Sequence, residues 1–409
     1  MYYQRTPAPD LTIVGAGIVG LATAWKFQQK FPDAKITVLE KEERVAKHQT
    51  GSNSGVIHSG IYYKPGSFKA KNCVDGRHQL VEFCHQYDVA VEICGKIIVE
   101  SEQDQITQPD KLDLIYGRGV ANGIEGIRII DGSEMKEIEP FVVGTRAIHV
   151  PPAGIVDFRG MSEKLRQLLE EAGATVEFGQ RVERISKNGS GLVVTTQKED
   201  IHTGHLVNCA GLYSDRVAQA AGITTPVQIV PFRGEYYELT PEAEHMVKAL
   251  IYPLPNPEFP FLGVHFTKMV LGGVECGPNA VFAFKREGYN KLDIDFEEAL
   301  ETLRFNGFWK MASKHWKMGL EEMRRSVSKK AFVKGLQGLI PAVREEDLHV
   351  SPAGVRAMAL LPTGEILDDF YYEHGERQIH VLNAPSPAAT ACLSIADEIV
   401  RQADGHFAL

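Results

Sequence analysis

The chain has 409 residues, 44% hydrophobic and 24% charged, with a formal net charge of −9. That is ordinary globular composition, long enough for two domains with sizeable cores, and its acidic balance argues against a general nucleic-acid binder. No apolar run is long enough to cross a bilayer, no basic-then-apolar leader opens the chain, and six scattered cysteines form no CxxC, so a cytoplasmic protein without a metal centre is expected.

The first clear unit is "LTIVGAGIVGLATAWKFQQKFPDAKITVLEKE". Leu11 to Val14 is a short apolar run suited to a buried parallel strand. Gly15, Gly17 and Gly20 then form GxGxxG. Gly15 permits the tight turn, Gly17 lets a pyrophosphate approach the backbone, and Gly20 lets the helix pack closely on the strand. The helix N-terminus that follows offers free N–H groups to phosphate. "KITVLE" is the second strand, and it ends at Glu40, twenty residues after Gly20, where a carboxylate can hydrogen-bond an adenosine ribose. The spacing predicts a dinucleotide site without separating NAD from FAD.

"HQTGSNSGVIHSGIYY", His48 to Tyr63, shows no apolar period of 2 or 3.6 and reads as a loop running toward a short helix. Further on, "HLVNCAGLYSD" is an apolar strand ending in Ala210–Gly211 at a helix start, and residues 226–285 are rich in strand pattern. Arg304 to Lys334 carries nine Lys and Arg against two Glu, with Trp309 and Trp316 interleaved. Two readings stay open for it: a basic helix lying on an anionic membrane, or a solvated basic face with its aromatics turned into the core. Last, "IHVLNAPSPAATACLSIADEIV" reads as strand, turn and apolar helix, with Ser386–Pro387 as the expected helix start. A nucleotide domain assembled from three separated segments favours FAD, because a simple NAD domain is usually continuous.

Several long stretches resemble the L-2-hydroxyglutarate oxidase/dehydrogenase family, FAD enzymes of the D-amino-acid-oxidase-like group. They are "HQTGSNSGVIHSGIYYKPGSFKAKNC", "PAGIVDF", "PFRGEYYELTP", "YPLPNPEFPFLGVHFT", "GPNAVFAFKREGY", "PAGVRAMALLPTGEILDDF" and "NAPSPAAT", spanning residues 11 to 395. Two positions depart from the family pattern: Ser52 stands where the first loop carries histidine, and Met358 where the later segment carries glutamine. The resemblance implies an α/β fold with a Rossmann-like FAD-binding domain of the two-dinucleotide type and an α+β substrate domain. The expected FAD domain is 1–90, 150–225 and 350–409; the expected substrate domain is 91–149 and 226–349.

It further implies cofactor contacts at the glycine turn (Gly15, Gly17, Ile18, Val19, Gly20) and at Glu40 and Lys41. The loop would contribute Gln49, Thr50, Ser52, Asn53, Ser54, Gly55 and Val56, whose backbone N–H groups can satisfy phosphate and ring acceptors without charged side chains. Later contacts are implied at Val182, Ala210, Gly211, Gly354, Arg356, Ser386, Pro387 and Ala388. The implied reaction passes the C2 hydride of a 2-hydroxy acid to flavin N5 and the hydroxyl proton to a base. His58 and His265 are the candidate bases, each equally readable as an ordinary structural histidine. A dicarboxylate substrate needs cationic anchors, for which Arg356, Arg233, Lys285, Arg286 and Lys64 are candidates. An amine or amino-acid oxidase on the same scaffold, or a flavin-binding protein with reduced catalysis, stays open beside the hydroxy-acid reading. The family's respiratory-chain-linked members imply a membrane quinone as electron acceptor and a peripheral place on the inner face of the membrane.

Overall fold

The computed structural model describes residues 9–255 and 263–407. Residues 256–262, inside the "YPLPNPEFPFLGVHFT" stretch, lie outside the described residues. The chain divides into two compact units. The first holds the described residues up to Gly51, Phe158–Val230 and those from Ala357 onward; the second holds Ser52–Asp157 and the described part of Pro231–Arg356.

The first unit is built on a six-stranded sheet, in the order Tyr371–Gly375, Gln378–Asn383, His205–Asn208, Leu11–Val14, Ile36–Glu40, Thr175–Phe178. All neighbours are parallel except the hairpin at the first edge. Leu11 sits opposite both Ile36 and His205. Every residue of the strands at 11–14 and 36–40 is buried, as expected of parallel strands covered on both faces. Helix Ile18–Lys30 buries Leu21, Ala22, Ala24 and Phe27. Its outer side is tied to helix Cys392–Phe407 by Lys26–Asp397 at 3.1 Å and Lys30–Asp404 at 2.6 Å. Such surface pairs add at most about 1 kcal/mol each, so apolar burial is what holds the helix. An antiparallel meander, Val182–Asn188, Gly191–Thr196 and Asp200–Thr203, packs Ile185, Leu192 and Val194 against Leu39 and Leu206.

The second unit is organised by a nine-stranded sheet whose centre runs Gln228–Leu239, Val274–Gly277, His265–Lys268, Leu250–Pro253, Lys96–Glu100, Arg146–Val150. Strand alternation sorts its residues onto two faces. Ile97, Val99, Ile251, Phe266 and Cys276 point to one face, where helix Lys329–Gln337 covers them with Phe332, Val333 and Leu336. Lys96, Ile98, Leu250, Tyr252, His265, Thr267 and Glu275 point to the other, by the registers Lys96–Leu250, Ile98–Tyr252, Leu250–Thr267 and Thr267–Glu275. The unit boundaries differ from the expected ones. Residues 52–90, 150–157 and 350–356 group with the second unit, and 226–230 with the first. The cause for the first two segments is local: Val56–Ile57 and Val91–Glu92 both pair with Gly154–Val156 in a small sheet. Val56, Ile61 and Ile155 then join the same apolar cluster as Ile98 and Tyr252. Among the described residues no helix is long and apolar enough to cross a membrane.

Candidate active site

In the first unit the glycine turn is held from three sides. Gly15 adopts φ +107°, and a Cβ there would stand 2.6 Å from the Cys209 carbonyl oxygen. At Gly20 a Cβ would stand 2.0 Å from the Gly15 carbonyl oxygen, so the helix crosses the turn at a distance only glycine permits. Glu40 Oε2 accepts from the Ala16 amide at 2.8 Å, and Thr50 Oγ1 accepts from the Ile18 amide at 3.0 Å. Glu40 is thus a strut of the turn as well as an acceptor at the strand end. Gly17 caps the helix without a side chain, and its missing Cβ would meet only Thr50 Oγ1, at 3.4 Å. Val19 follows in the first helical turn. A backbone cradle at a helix N-terminus, open at Gly17 and closed at Gly15 and Gly20, fits a dinucleotide pyrophosphate.

The remaining residues expected in this unit gather near it in part. Gln49 Oε1 accepts from the Ala357 amide at 3.0 Å, and the Gly51 carbonyl accepts from Arg159 Nε at 2.8 Å. Ala210 donates to Asn208 Oδ1 at 3.0 Å, and Gly211, at φ +54°, brings its α-carbon beside the Gln49 amide. Lys41 pairs with Glu42 and lies 5.2 Å from the Tyr213 ring centroid. Val182 opens the meander and packs on its core. The expected helix start at Ser386–Pro387 is corrected: Ser386, Pro387 and Ala388 form a turn, and the helix begins at Cys392. Pro387 disfavours helical geometry at Ser386, and turns closed by Ala388 N–H to the Pro385 carbonyl and Ala391 N–H to the Pro387 carbonyl precede the helix.

The loop from Ser52 onward belongs to the second unit. Gly55 donates to Asn53 Oδ1 at 2.8 Å, Val56 enters the small sheet after Ser54, and the Ser52 carbonyl presses on Gly354, where a Cβ would come within 2.2 Å. The second face of the large sheet, buried against Ile61, Leu112 and Ile115, carries the polar groups. His265 is 4% exposed, and its ring stacks on Tyr252 with centroids 3.8 Å apart. Its Nδ1 lies 2.8 Å from the Gly263 carbonyl, so Nδ1 carries the proton and Nε2 keeps the lone pair. Lys96 Nζ lies 3.6 Å from the same Tyr252 ring centroid and 4.8 Å from that of Tyr62. Desolvation pushes His265 down to about 3, with the charges of Lys96 and Arg356 and the nearby His58 adding to it. Desolvation does the same to His58, again to about 3, helped by Lys96 and Lys69. Both imidazoles are therefore neutral at pH 7.

Arg356 reaches the Asn279 carbonyl at 3.5 Å and acts on the Tyr236 hydroxyl, so it joins this cluster. Arg233 does not serve as a free clamp. Its Nε and Nη2 donate to Glu235 Oε1 at 3.1 and 2.9 Å, and Nη1 donates to the Asn290 carbonyl at 3.0 Å, so its bidentate edge is already taken by a carboxylate of the protein. Arg286 is buried against Glu301 at 3.9 Å, Lys285 is half-buried in a turn, and Lys64 is exposed on the loop before helix Phe68–Gln86. The buried cations Lys69 and Lys96 were missed by sequence reasoning. In "CGKIIVE" a lysine opening an apolar strand reads as an exposed end, and the only signal was its strand parity with Ile98.

Sheet order and glycine cradle together define a dinucleotide-binding protein. The FAD dependent oxidoreductase family matches residues 10–401. The chain is 51% identical over 399 residues to the L-2-hydroxyglutarate dehydrogenase of Indibacter alkaliphilus, covering 97% of this chain and 99% of that one. It is 43% identical to the mitochondrial L-2-hydroxyglutarate dehydrogenase of Homo sapiens, over 99% of this chain and 90% of the relative. Among solved structures it is similar to L-alpha-glycerophosphate oxidase from Mycoplasma pneumoniae with FAD bound, at TM-score 0.80 and 21% identity, covering 98% of this chain and 95% of that one. This chain belongs to the L-2-hydroxyglutarate dehydrogenase family of FAD-dependent oxidoreductases, and its cofactor is FAD.

Proposed function

We propose that the enzyme oxidises L-2-hydroxyglutarate to 2-oxoglutarate. The observation that carries this reading is the 51% identity across nearly the whole chain to an L-2-hydroxyglutarate dehydrogenase. The glycine turn at Gly15, Gly17 and Gly20, with the strand-end Glu40, would hold FAD, which would supply the hydride acceptor. The chain's own residues supply the rest. Oxidising the alcohol requires a neutral acceptor for the hydroxyl proton, and His265 presents an unprotonated Nε2 because Gly263 fixes its tautomer. His58 is the second neutral imidazole of the cluster. Arg356 offers a planar fork to a carboxylate. Turnover measured with an artificial dye across L-2-hydroxyglutarate, its D isomer and a set of amino acids tests the reading. The L isomer should dominate; turnover of an amino acid with no action on L-2-hydroxyglutarate would assign the scaffold to amine oxidation instead.

We also infer that the reduced enzyme delivers electrons at an anionic membrane surface to a lipid-soluble quinone. Support comes from the basic stretch, whose tryptophans do not turn inward: Trp309 is 55% and Trp316 57% exposed. Trp316 and the exposed Leu320, Met323 and Val327 fall at helical spacing after the kink at His315 in Asn306–Val327, Trp309 lies before that kink, and Phe296, Leu300 and Leu303 form a further exposed stripe on the preceding helix. Lys310, Lys314 and Lys317 flank the first stripe. Each cation near an anionic surface contributes about 1 kcal/mol. Sedimentation with phosphatidylserine-containing vesicles should deplete the wild type at low salt and release it at high salt. Replacing the three lysines by glutamate should abolish pelleting without changing dye turnover. Wild type that stays in the supernatant at low salt would refute membrane attachment.

A further inference from the structure

The second unit buries a cation with no anion beside it. Lys96 is 4% exposed, and among the described residues no carboxylate pairs with it. Its surroundings come from four elements. Helix Phe68–Gln86 brings Cys73, Lys69 and Arg77, the last already paired with Glu125 at 2.8 Å. The loop before that helix brings His58 and Tyr62, and the neighbouring strands bring Tyr252 and His265. None of these groups is anionic at neutral pH. Burial pushes the Cys73 thiol up to about 12, and the Tyr62 hydroxyl is raised and has no hydrogen-bond partner among the described residues. Two tyrosine faces compensate an ammonium only in part. Burial therefore pushes the Lys96 amine down to about 7.

Lys96, Lys69 and Arg356 act on two neutral histidines here, and of these cations it is Lys96 that is buried with no carboxylate beside it among the described residues. Lys96 Nζ and the His265 ring lie 3.6 and 3.8 Å from the Tyr252 ring centroid and so cover its two opposite faces, which places an anion held by the ammonium one ring away from the imidazole.

We propose that Lys96 is the anchor for a carboxylate of the substrate, its ammonium donating to the anion that the protein itself does not supply. This rests on the dicarboxylate reading above. The alternative role for a buried amine is to take the hydroxyl proton itself, and the two roles predict different responses. An anchor must gain a proton when the anion binds; a base must be neutral while substrate is bound. Arginine can replace an anchor, because it keeps its charge, but it cannot replace a base.

The test is calorimetry of glutarate binding to the FAD-loaded enzyme at pH 8, in two buffers of different ionisation enthalpy. Glutarate has both carboxylates and no hydroxyl to oxidise. Wild type should take up close to one proton per glutarate, and its affinity should fall about tenfold per pH unit above pH 7. Lys96→Met should retain FAD, take up no proton and bind glutarate about 100-fold more weakly. Lys96→Arg should bind glutarate without proton uptake and without that pH dependence. In turnover, Lys96→Met should raise KM far more than it lowers kcat. If wild type oxidises L-2-hydroxyglutarate but binds glutarate with no proton uptake, or if Lys96→Met loses kcat at unchanged KM, the anchor is overturned while the substrate reading stands. If wild type neither oxidises L-2-hydroxyglutarate nor binds glutarate, both fall together.

Discussion

The glycine turn of the first unit and the polar sheet face of the second make their chemistry in opposite ways. At the turn, function rests on atoms that are absent. Gly15 and Gly20 leave out side chains that would strike backbone 2.6 and 2.0 Å away, and Gly17 leaves out one that would fill the mouth of the cradle. On the sheet face, function rests on charged and ring side chains forced together at a cost, with two histidines and a lysine all shifted toward their neutral forms by burial. A site of the first kind is intolerant of added atoms. One of the second kind is sensitive to pH and to the loss of single charges.

The largest effect that separates them should come from Gly20→Ala. Its Cβ cannot be accommodated without moving the Gly15 carbonyl, so about 3 kcal/mol or more of stability should be lost. Gly17→Val probes the same turn differently: thermal melting should stay close to wild type while flavin absorbance is lost. Gly20→Ala that melts like wild type with its flavin in place would break the account of the turn. The roughly hundredfold weakening expected of Lys96→Met comes next, on the other side of the comparison.

A smaller effect concerns acid. The His265 imidazole titrates near 3 in the folded protein and near its ordinary 6.5 when unfolded. Between those values the unfolded chain holds the extra proton, so stability falls as pH drops from about 6.5 toward 3. At pH 5 this single group costs about 2 kcal/mol. His265→Asn can keep the donor to the Gly263 carbonyl and removes the titration. Denaturant melts at pH 7 and pH 5 should therefore show a smaller acid loss in the variant; an equal loss would mean that His265 titrates normally. The lysine-to-glutamate variants of the basic helix should give the smallest energetic change, visible only as salt-sensitive pelleting.

The two regions were also unequally legible in the sequence. GxGxxG, its flanking strands and Glu40 are local, and local spacing sufficed to place them. The sheet face is assembled from residues far apart in the chain, Lys96, Tyr252 and His265, joined only by strand register. His265 was singled out because its strand alternates. Lys96 was not, because nothing in one strand tells which face is buried. Arg233 looked like a clamp until Glu235, on the same face of its strand, was seen to occupy its fork. The helix start expected at Ser386 failed because Pro387 disfavours helical geometry at Ser386 and the residues that follow form turns up to Cys392. The three separated segments of the nucleotide domain already favoured FAD, and resemblance added the substrate, which spacing left open.

Anaerobic mixing of the FAD-loaded enzyme with L-2-hydroxyglutarate tests the central claim most directly. The account predicts loss of the oxidised-flavin absorbance within the turnover time, with one 2-oxoglutarate formed per flavin reduced and slower or no bleaching by the D isomer. Flavin that stays oxidised with L-2-hydroxyglutarate, yet bleaches with an amino acid, would contradict it.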